Sequence, residues 1–309
     1  MRAVQFDRYG GAEVLEVRDV PDPPAPGPGQ ARVRVRAAGV NPDDVPVREG
    51  WLDGLFPVSF PSGQGSDLAG VIEDVGPGVT RMAIGAEVVG FTHDHAAQAE
   101  LVTVPVHHLV RKPANVSWEA AGGLPLAGLT AWAAVHAVQL RRRETVVVTA
   151  AAGGVGSLVV QLARRAGARV VAIAGHHHHS WLREQGATPV EHRGDIAAAV
   201  SSAAGGRVDA MVDCYGHGYV QMAIEELGVE PGRVDTVVDM VAAQRLGAQN
   251  RGQESASQAH VLDELIHLIG SGELEVPIAA ALPLEDVRTA YAVLEEQHTH
   301  GKIVLLPSG

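Results

Sequence analysis

The sequence predicts an α/β fold in two parts, a small, partly open β-barrel or sandwich followed by a parallel sheet with helices on both faces. Three observations predict it. From Met1 to about Lys112 the pattern is one of short strands broken by Gly and Pro turns. Beyond Pro113, apolar runs alternate with segments of helical period, as β-α-β units of a parallel sheet require. Between Glu144 and Gly175 lie a strand, a Gly-rich turn, a helix and a second strand.

In the first part, Val4 and Phe6 alternate with polar residues, Val14 to Val20 reads as a second strand, and Pro21 to Pro28 is a Pro/Gly-rich connection. Arg32-Val33-Arg34-Val35-Arg36 alternates strictly, so one face is apolar and the other charged. Leu68 to Val75, Glu87 to Phe91 and Ala99 to Val104 are further strands, separated by turns such as Gly76-Pro77-Gly78. The period then changes. Ser117 is placed to cap a helix opening at Glu119 and Ala120, and Leu126 to Val138 is an Ala-rich helical stretch.

The central unit carries the chemistry. The apolar run Thr145 to Thr149 enters the turn Ala151-Ala152-Gly153-Gly154-Val155-Gly156. A helical stripe of Leu158, Val159, Leu162 and Ala163 follows, then the strand Arg169 to Ala174. Such a turn lets backbone amides approach a pyrophosphate, and the helix N-terminus adds partial positive charge. It is A-x-G-x-x-G, the dinucleotide fingerprint with Ala in place of its first Gly. A packed turn without ligand is the alternative for the hexapeptide alone; the flanking strands and helix favour the nucleotide. Downstream, helices are expected at Trp181 to Gln185, Ile196 to Ala204 and Tyr219 to Leu227, and strands at Val208 to Val212 and Arg233 to Val238. A polar loop follows over Gln249 to Gln258, then amphipathic helices at His260 to Ile269 and Leu284 to Glu296 and a closing strand at Gly301 to Leu306.

Composition narrows the class. A chain of 309 residues with 46% hydrophobic content can form two domains with sizeable cores. The formal net charge is −12 and no Lys/Arg cluster interleaves with aromatics, which argues against a nucleic-acid surface; Arg141-Arg142-Arg143 reads as a solvated helix end. Cys214 is the only cysteine, so neither an internal disulfide nor a Cys-rich zinc site can form, and a reducing cytoplasm is the expected location. No signal peptide is expected, since the N-terminal pattern is a strand, and no apolar run approaches the roughly 18 to 20 residues a membrane span needs.

Several motifs carry a likeness. They are Ala38-Gly39-Val40-Asn41-Pro42-Asp43-Asp44, Asp67-Leu68-Ala69-Gly70-Val71, Leu124-Pro125-Leu126-Ala127-Gly128-Leu129-Thr130-Ala131, the Gly-rich turn, Pro231-Gly232-Arg233 and Gly301-Lys302-Ile303-Val304-Leu305. In this order the chain resembles the zinc-independent quinone oxidoreductases (zeta-crystallin-like) of the medium-chain dehydrogenase/reductase superfamily, over nearly its whole length. The resemblance implies a GroES-like catalytic domain at 1–115, a Rossmann NADP-binding domain at 116–260, and a segment, 261–309, that returns to the first domain. It implies a cleft that holds the nicotinamide, with Asn41 and Thr130 at the reacting end. Ala152, Gly153, Gly154, Val155 and Gly156 take the pyrophosphate, the backbone at Val238 and Asp239 flanks the carboxamide, and Lys302 lies near the cleft. It also implies a homodimer, formed edge to edge through the Rossmann sheet. Plainer readings stand beside these: Asn41 could cap a short helix, Thr130 could bond a helix carbonyl, and Asp44 reads as a cap or ion-pair partner.

No metal site is expected. Zinc alcohol dehydrogenases share the fold but need a Cys and a His where this chain has Asn41 and the Asp67 region. Hydride transfer to an already activated acceptor, a quinone or α,β-unsaturated carbonyl compound, is the chemistry that remains easy without a Lewis acid. For the cofactor, an NAD site usually presents Asp or Glu about 20 residues beyond the turn. Here the strand ends Ala172-Ile173-Ala174-Gly175 without an acid, so NADPH is expected. Gly175, His176, His178, His192 and Arg193 are the candidates at its 2'-phosphate; the four-histidine run is otherwise an incidental exposed loop. Relatives that carry a proton-donating Tyr after the Asn-Pro motif differ here, where Val45-Pro46-Val47 can donate nothing. His93 and His95 are candidate acids or solvent-facing loop residues. A tailoring reductase, a redox-silent cyclase and an NADPH-binding sensor are the alternative functions.

Overall fold

The computed structural model describes residues 1–54, 57–253, 258–296 and 299–307. The chain opens with β1 (Arg2–Gln5) and β2 (Glu16–Asp19), paired antiparallel. The expected strand from Val14 is shortened, because Ala12–Val14 forms a single tight helical turn that buries Val14. Next comes β3 (Gln30–Val40), where the alternation does its work: Ala31, Val33 and Val35 are buried while Arg32, Arg34 and Arg36 are partly exposed. A short helix, α1 (Asp44–Arg48), precedes β4 (Asp67–Val75), β5 (Glu87–Phe91), β6 (Leu101–Pro105) and β7 (Leu109–Arg111). The Ser117 hydroxyl accepts from Ala120 N at 3.2 Å and so caps α2 (Trp118–Gly123), as expected. Pro125 then opens α3 (Pro125–Ala137).

The chain divides into two compact units, Met1–Leu126 with Ser257–Gly309, and Ala127–Ala256. The second unit runs β8 (Thr145–Val148), α4 (Gly156–Arg165), β9 (Arg169–Ala174), α5 (His179–Glu184), β10 (Thr188–Glu191), α6 (Ile196–Ala204), β11 (Ala210–Asp213), α7 (Tyr219–Gln221), β12 (Val234–Thr236) and α8 (Met240–Leu246). After α7 the helix widens over Met222–Glu226, where Leu227 N reaches back five residues to Met222 O. All pairings are parallel, in the order β10-β9-β8-β11-β12. This is the doubly wound Rossmann order, and its switch point lies between β8 and β11, where such sheets bind nucleotides beyond the carboxyl ends of their strands.

The chain then returns to the first unit with α9 (Ala259–Gly270), β13 (Ile278–Pro283), α10 (Val287–Glu295) and β14 (Lys302–Leu306). Its sheet has the order β13-β14-β3-β4-β5-β7, with β6 also on β3. The first half of β3 pairs with β6 and its last three residues pair with β14, so a bulged β3 bends the sheet toward closure in a GroES-like barrel. One pairing sets up the site: Ile303 lies opposite Val40, which brings Lys302 alongside Asn41. No helix among the described residues is long and apolar enough to cross a membrane.

Candidate functional site

The glycine-rich turn is held by its own backbone. Ala150 adopts φ +44°, Gly153 N donates to Ala150 O at 2.8 Å, and Ser157 N donates to Gly153 O at 3.0 Å. A Cβ on Gly156 would sit 2.2 Å from Ala150 O, so this position tolerates no side chain. No side chain caps α4; Ser157 N and Leu158 N are bonded to Gly153 O and Val155 O, so the amides of Gly154, Val155 and Gly156 are the ones the turn offers to an anion. This fits a dinucleotide pyrophosphate. Gly156→Ala is expected to force the turn open and weaken nucleotide binding at least tenfold by calorimetric titration; unchanged affinity would remove the turn from the site.

Beyond the strand ends, one carboxylate organises the neighbouring loops. Asp213, fully buried at the end of β11, accepts from Thr149 Oγ1 at 2.7 Å, Thr236 Oγ1 at 2.8 Å, Tyr215 N at 3.1 Å and Gly216 N at 3.0 Å. Thr236 Oγ1 in turn accepts from Asp239 N at 3.1 Å, and Asp239 caps α8 through Ala242 N. Val238, expected beside the carboxamide, is therefore fixed from below with its side chain exposed. Thr130 is half-buried against Gly252, and its hydroxyl has no hydrogen-bond partner among the described residues.

At the end of β9 the histidines separate into two kinds. His179 is buried, with Nε2 3.2 Å from Ala174 O, and is part of the fold. His176, His177 and His178 form one tight turn. A Cβ on Gly175 would meet the His177 ring at 2.9 Å and His192 Cε1 at 3.6 Å, so these two imidazoles pack where an NAD-type acid would stand. The tight turn is what brings the His177 ring back over Gly175. Arg193 is exposed and makes no ion pair among the described residues.

In the first unit, Asn41, Asp44, Asp67 and Lys302 are all buried and bonded to one another. Asn41 Nδ2 donates to Asp67 Oδ2 at 2.9 Å, and Lys302 Nζ donates to Asn41 Oδ1 and to Val40 O at 3.0 Å. Asp67 also accepts from Leu126 N at 2.9 Å. Asp44 accepts from Asn41 N at 2.9 Å and from the Tyr291 hydroxyl at 2.8 Å, and Gln64 and Gln98 both donate to that hydroxyl. Burial pushes the Lys302 ammonium below its usual range, opposed by Asp67, Asp44 and Asp43. Burial likewise raises Asp67, and raises Asp44 to about 7. An ammonium already supplies the cation here, so this donor set does not fit a metal ion.

The Asp44 shift has a sign. A carboxyl raised in the folded state keeps its proton while the unfolded chain loses it, so stability falls as pH rises from about 4 to about 7. Asp44→Asn keeps an oxygen for both donors and is expected to remove on the order of 4 kcal/mol of that pH-dependent loss, read by urea denaturation across the range. An unaltered slope would assign the titration elsewhere.

His93 does not stand free: its ring lies 5.0 Å from that of His108, which stacks on Phe91 at 4.6 Å. Burial lowers the imidazoles of His95 and His108. Tyr215, 43% exposed, packs its ring 4.9 Å from His217.

With this geometry in view, relatives can be compared. The description of an alcohol dehydrogenase GroES-like domain matches residues 27–114, and that of a zinc-binding dehydrogenase matches residues 185–305. Barrel, doubly wound sheet and glycine turn together define a medium-chain dehydrogenase/reductase, an oxidoreductase that uses a nicotinamide cofactor. The chain is 30% identical over 326 residues to the chloroplast envelope quinone oxidoreductase homolog of Arabidopsis thaliana, covering 99% of this chain and 98% of that protein. It belongs to the quinone oxidoreductase family of that superfamily. The quinone oxidoreductase structure from Coxiella burnetii superposes with a TM-score of 0.88 at 29% identity, covering 99% of each chain. The Escherichia coli quinone oxidoreductase complexed with NADPH gives a TM-score of 0.87 at 26% identity, over 99% of this chain and 100% of that one. Against the quinone oxidoreductases of Pseudomonas aeruginosa and Spinacia oleracea the sequence match spans less than half of their lengths, 38% and 42%.

Proposed function

We propose that the chain catalyses NADPH-dependent reduction of a quinone or an α,β-unsaturated carbonyl compound by direct hydride transfer, without zinc. The observation that carries the cofactor choice is the end of β9, where Gly175 and two packed imidazoles replace the acid of an NAD site. Bound NADPH supplies the hydride. The glycine turn and the Gly156 amide that opens α4 hold its pyrophosphate, and in the same unit the Thr130 hydroxyl and the Val238 backbone orient the nicotinamide. Asn41 gives one Nδ2 hydrogen to Asp67 and retains a second donor. Val45, Pro46 and Val47 offer no acid, so water supplies the proton that completes reduction. The chain acts as a cytoplasmic homodimer, joined edge to edge through the Rossmann sheet.

The experiment is oxidation of NADPH and NADH at 340 nm with a panel of quinones and enones, alongside thermal-shift binding of both nucleotides. Turnover with NADPH and a member of the panel supports the reading. Tight NADPH binding without turnover on any acceptor overturns the reductase activity in favour of a sensor or a specialised pathway enzyme.

A further inference from the structure

We propose that Glu191 is a positioning residue that fixes the His192 imidazole at the adenosine 2'-phosphate end of the nucleotide site and so sets the preference for NADPH over NADH. This deepens the NADPH reading and rests on it. The sheet register places the residue: Glu191 ends β10 directly opposite Ala174, the last residue of β9, one position before Gly175. A single carboxylate oxygen, Oε1, takes both the His192 ring at Nδ1, 2.7 Å away, and the His192 backbone N–H at 3.3 Å. With backbone and ring tied to one atom, the imidazole cannot swing away from the strand end.

The consequence is a defined division of the ring. Nδ1–H is donated to Glu191, and the opposite nitrogen, Nε2, is the one left for a ligand. As an imidazolium the ring donates Nε2–H to a phosphate oxygen while keeping its carboxylate partner. His192 is suited to meet a ligand, with 44% of its side chain exposed and Cε1 3.6 Å from the Cβ position of Gly175. The His177 ring packs on the same Gly175 Cβ position at 2.9 Å, and Arg193, next in the chain, is exposed. A 2'-hydroxyl has no charge to exploit this arrangement; a 2'-phosphate does.

Calorimetric titration of NADPH and NADH into the wild type, Glu191→Ala, Glu191→Gln, His192→Ala and the double alanine variant tests the assignment. One charge-assisted hydrogen bond predicts that Glu191→Ala weakens NADPH about tenfold and leaves NADH within about twofold. Gln still accepts from Nδ1 and should retain most of the affinity. His192→Ala should match Glu191→Ala, and the double variant should add little, because the two act as one unit. Equal losses for both nucleotides in Glu191→Ala overturn the proposal, as does tighter NADPH with weaker NADH, which would make Glu191 itself the 2'-hydroxyl partner. A wild-type chain that binds NADH but not NADPH overturns the cofactor reading, and this assignment with it.

Discussion

Lys302→Met is expected to destabilise the fold by about 3–5 kcal/mol, the usual cost of leaving a buried charge without its partner. Its ammonium reaches Asn41 Oδ1 and Val40 O, and it faces Asp43, Asp44 and Asp67 in a region where Asn41, Asp44 and Asp67 are almost fully buried. Methionine fills similar volume, so the loss is electrostatic rather than a cavity. That assignment has its own check. Without the ammonium the carboxyls are driven further toward their neutral forms, so the gap between wild type and variant should narrow as pH falls from 8 to 5.5. Adding Asp67→Asn should recover part of the loss, since it removes one of the stranded charges. Urea denaturation at both pH values reads all three effects; a loss below about 1 kcal/mol at pH 8, or a gap that widens on acidification, would mean the cluster is not held by charge.

How much of this was visible in the sequence depends on distance along the chain. The central unit is local: β8, the turn, α4 and β9 lie within about 30 residues, and each ends where its pattern ends. Glu87–Phe91 and Ile196–Ala204 were legible to the residue, the first as an apolar run between turns and the second as an Ala-rich helical stretch, which Asp195 proves to cap. β10 was not foreseen, since Pro189 argues against a strand; it is tolerated because β10 lies at the sheet edge. β13 was hidden by its run of alanines, which carries no alternation. The buried cluster shows the same divide. Asn41 and Lys302 were reached through motifs, but the Tyr291 partner of Asp44 stands 247 residues away and no pattern in either segment announces the other. Glu191 is hidden in the same way: nothing in β9 announces that the adjacent strand sets a carboxylate opposite Ala174.

The second large effect should come from Asp213→Ala, which is expected to cost roughly 4–5 kcal/mol and to weaken nucleotide binding as well. One buried carboxylate serves two hydroxyls and two amides here, on Thr149, Thr236, Tyr215 and Gly216. These belong to three different strand ends, so no nearby group can replace it. Alanine strands all four donors in a space open to little water, and each buried donor left unpaired costs about 1–3 kcal/mol before relaxation. Asp213→Asn separates stability from function. Its oxygen can still serve Thr149 and the Tyr215 amide, but its NH2 points donor to donor at Gly216 N, and Thr236 must turn its hydroxyl. Thr236 Oγ1 holds Asp239 N, which begins α8, so that turn is transmitted to the Val238 backbone. The Asn variant should therefore lose about half the stability that Ala loses, while affinity for the nicotinamide cofactor falls severalfold and the acceptor KM stays near the wild-type value. If both variants denature like the wild type, the carboxylate is not what holds the three strand ends together; if the Asn variant binds the nicotinamide cofactor normally, those strand ends do not position it.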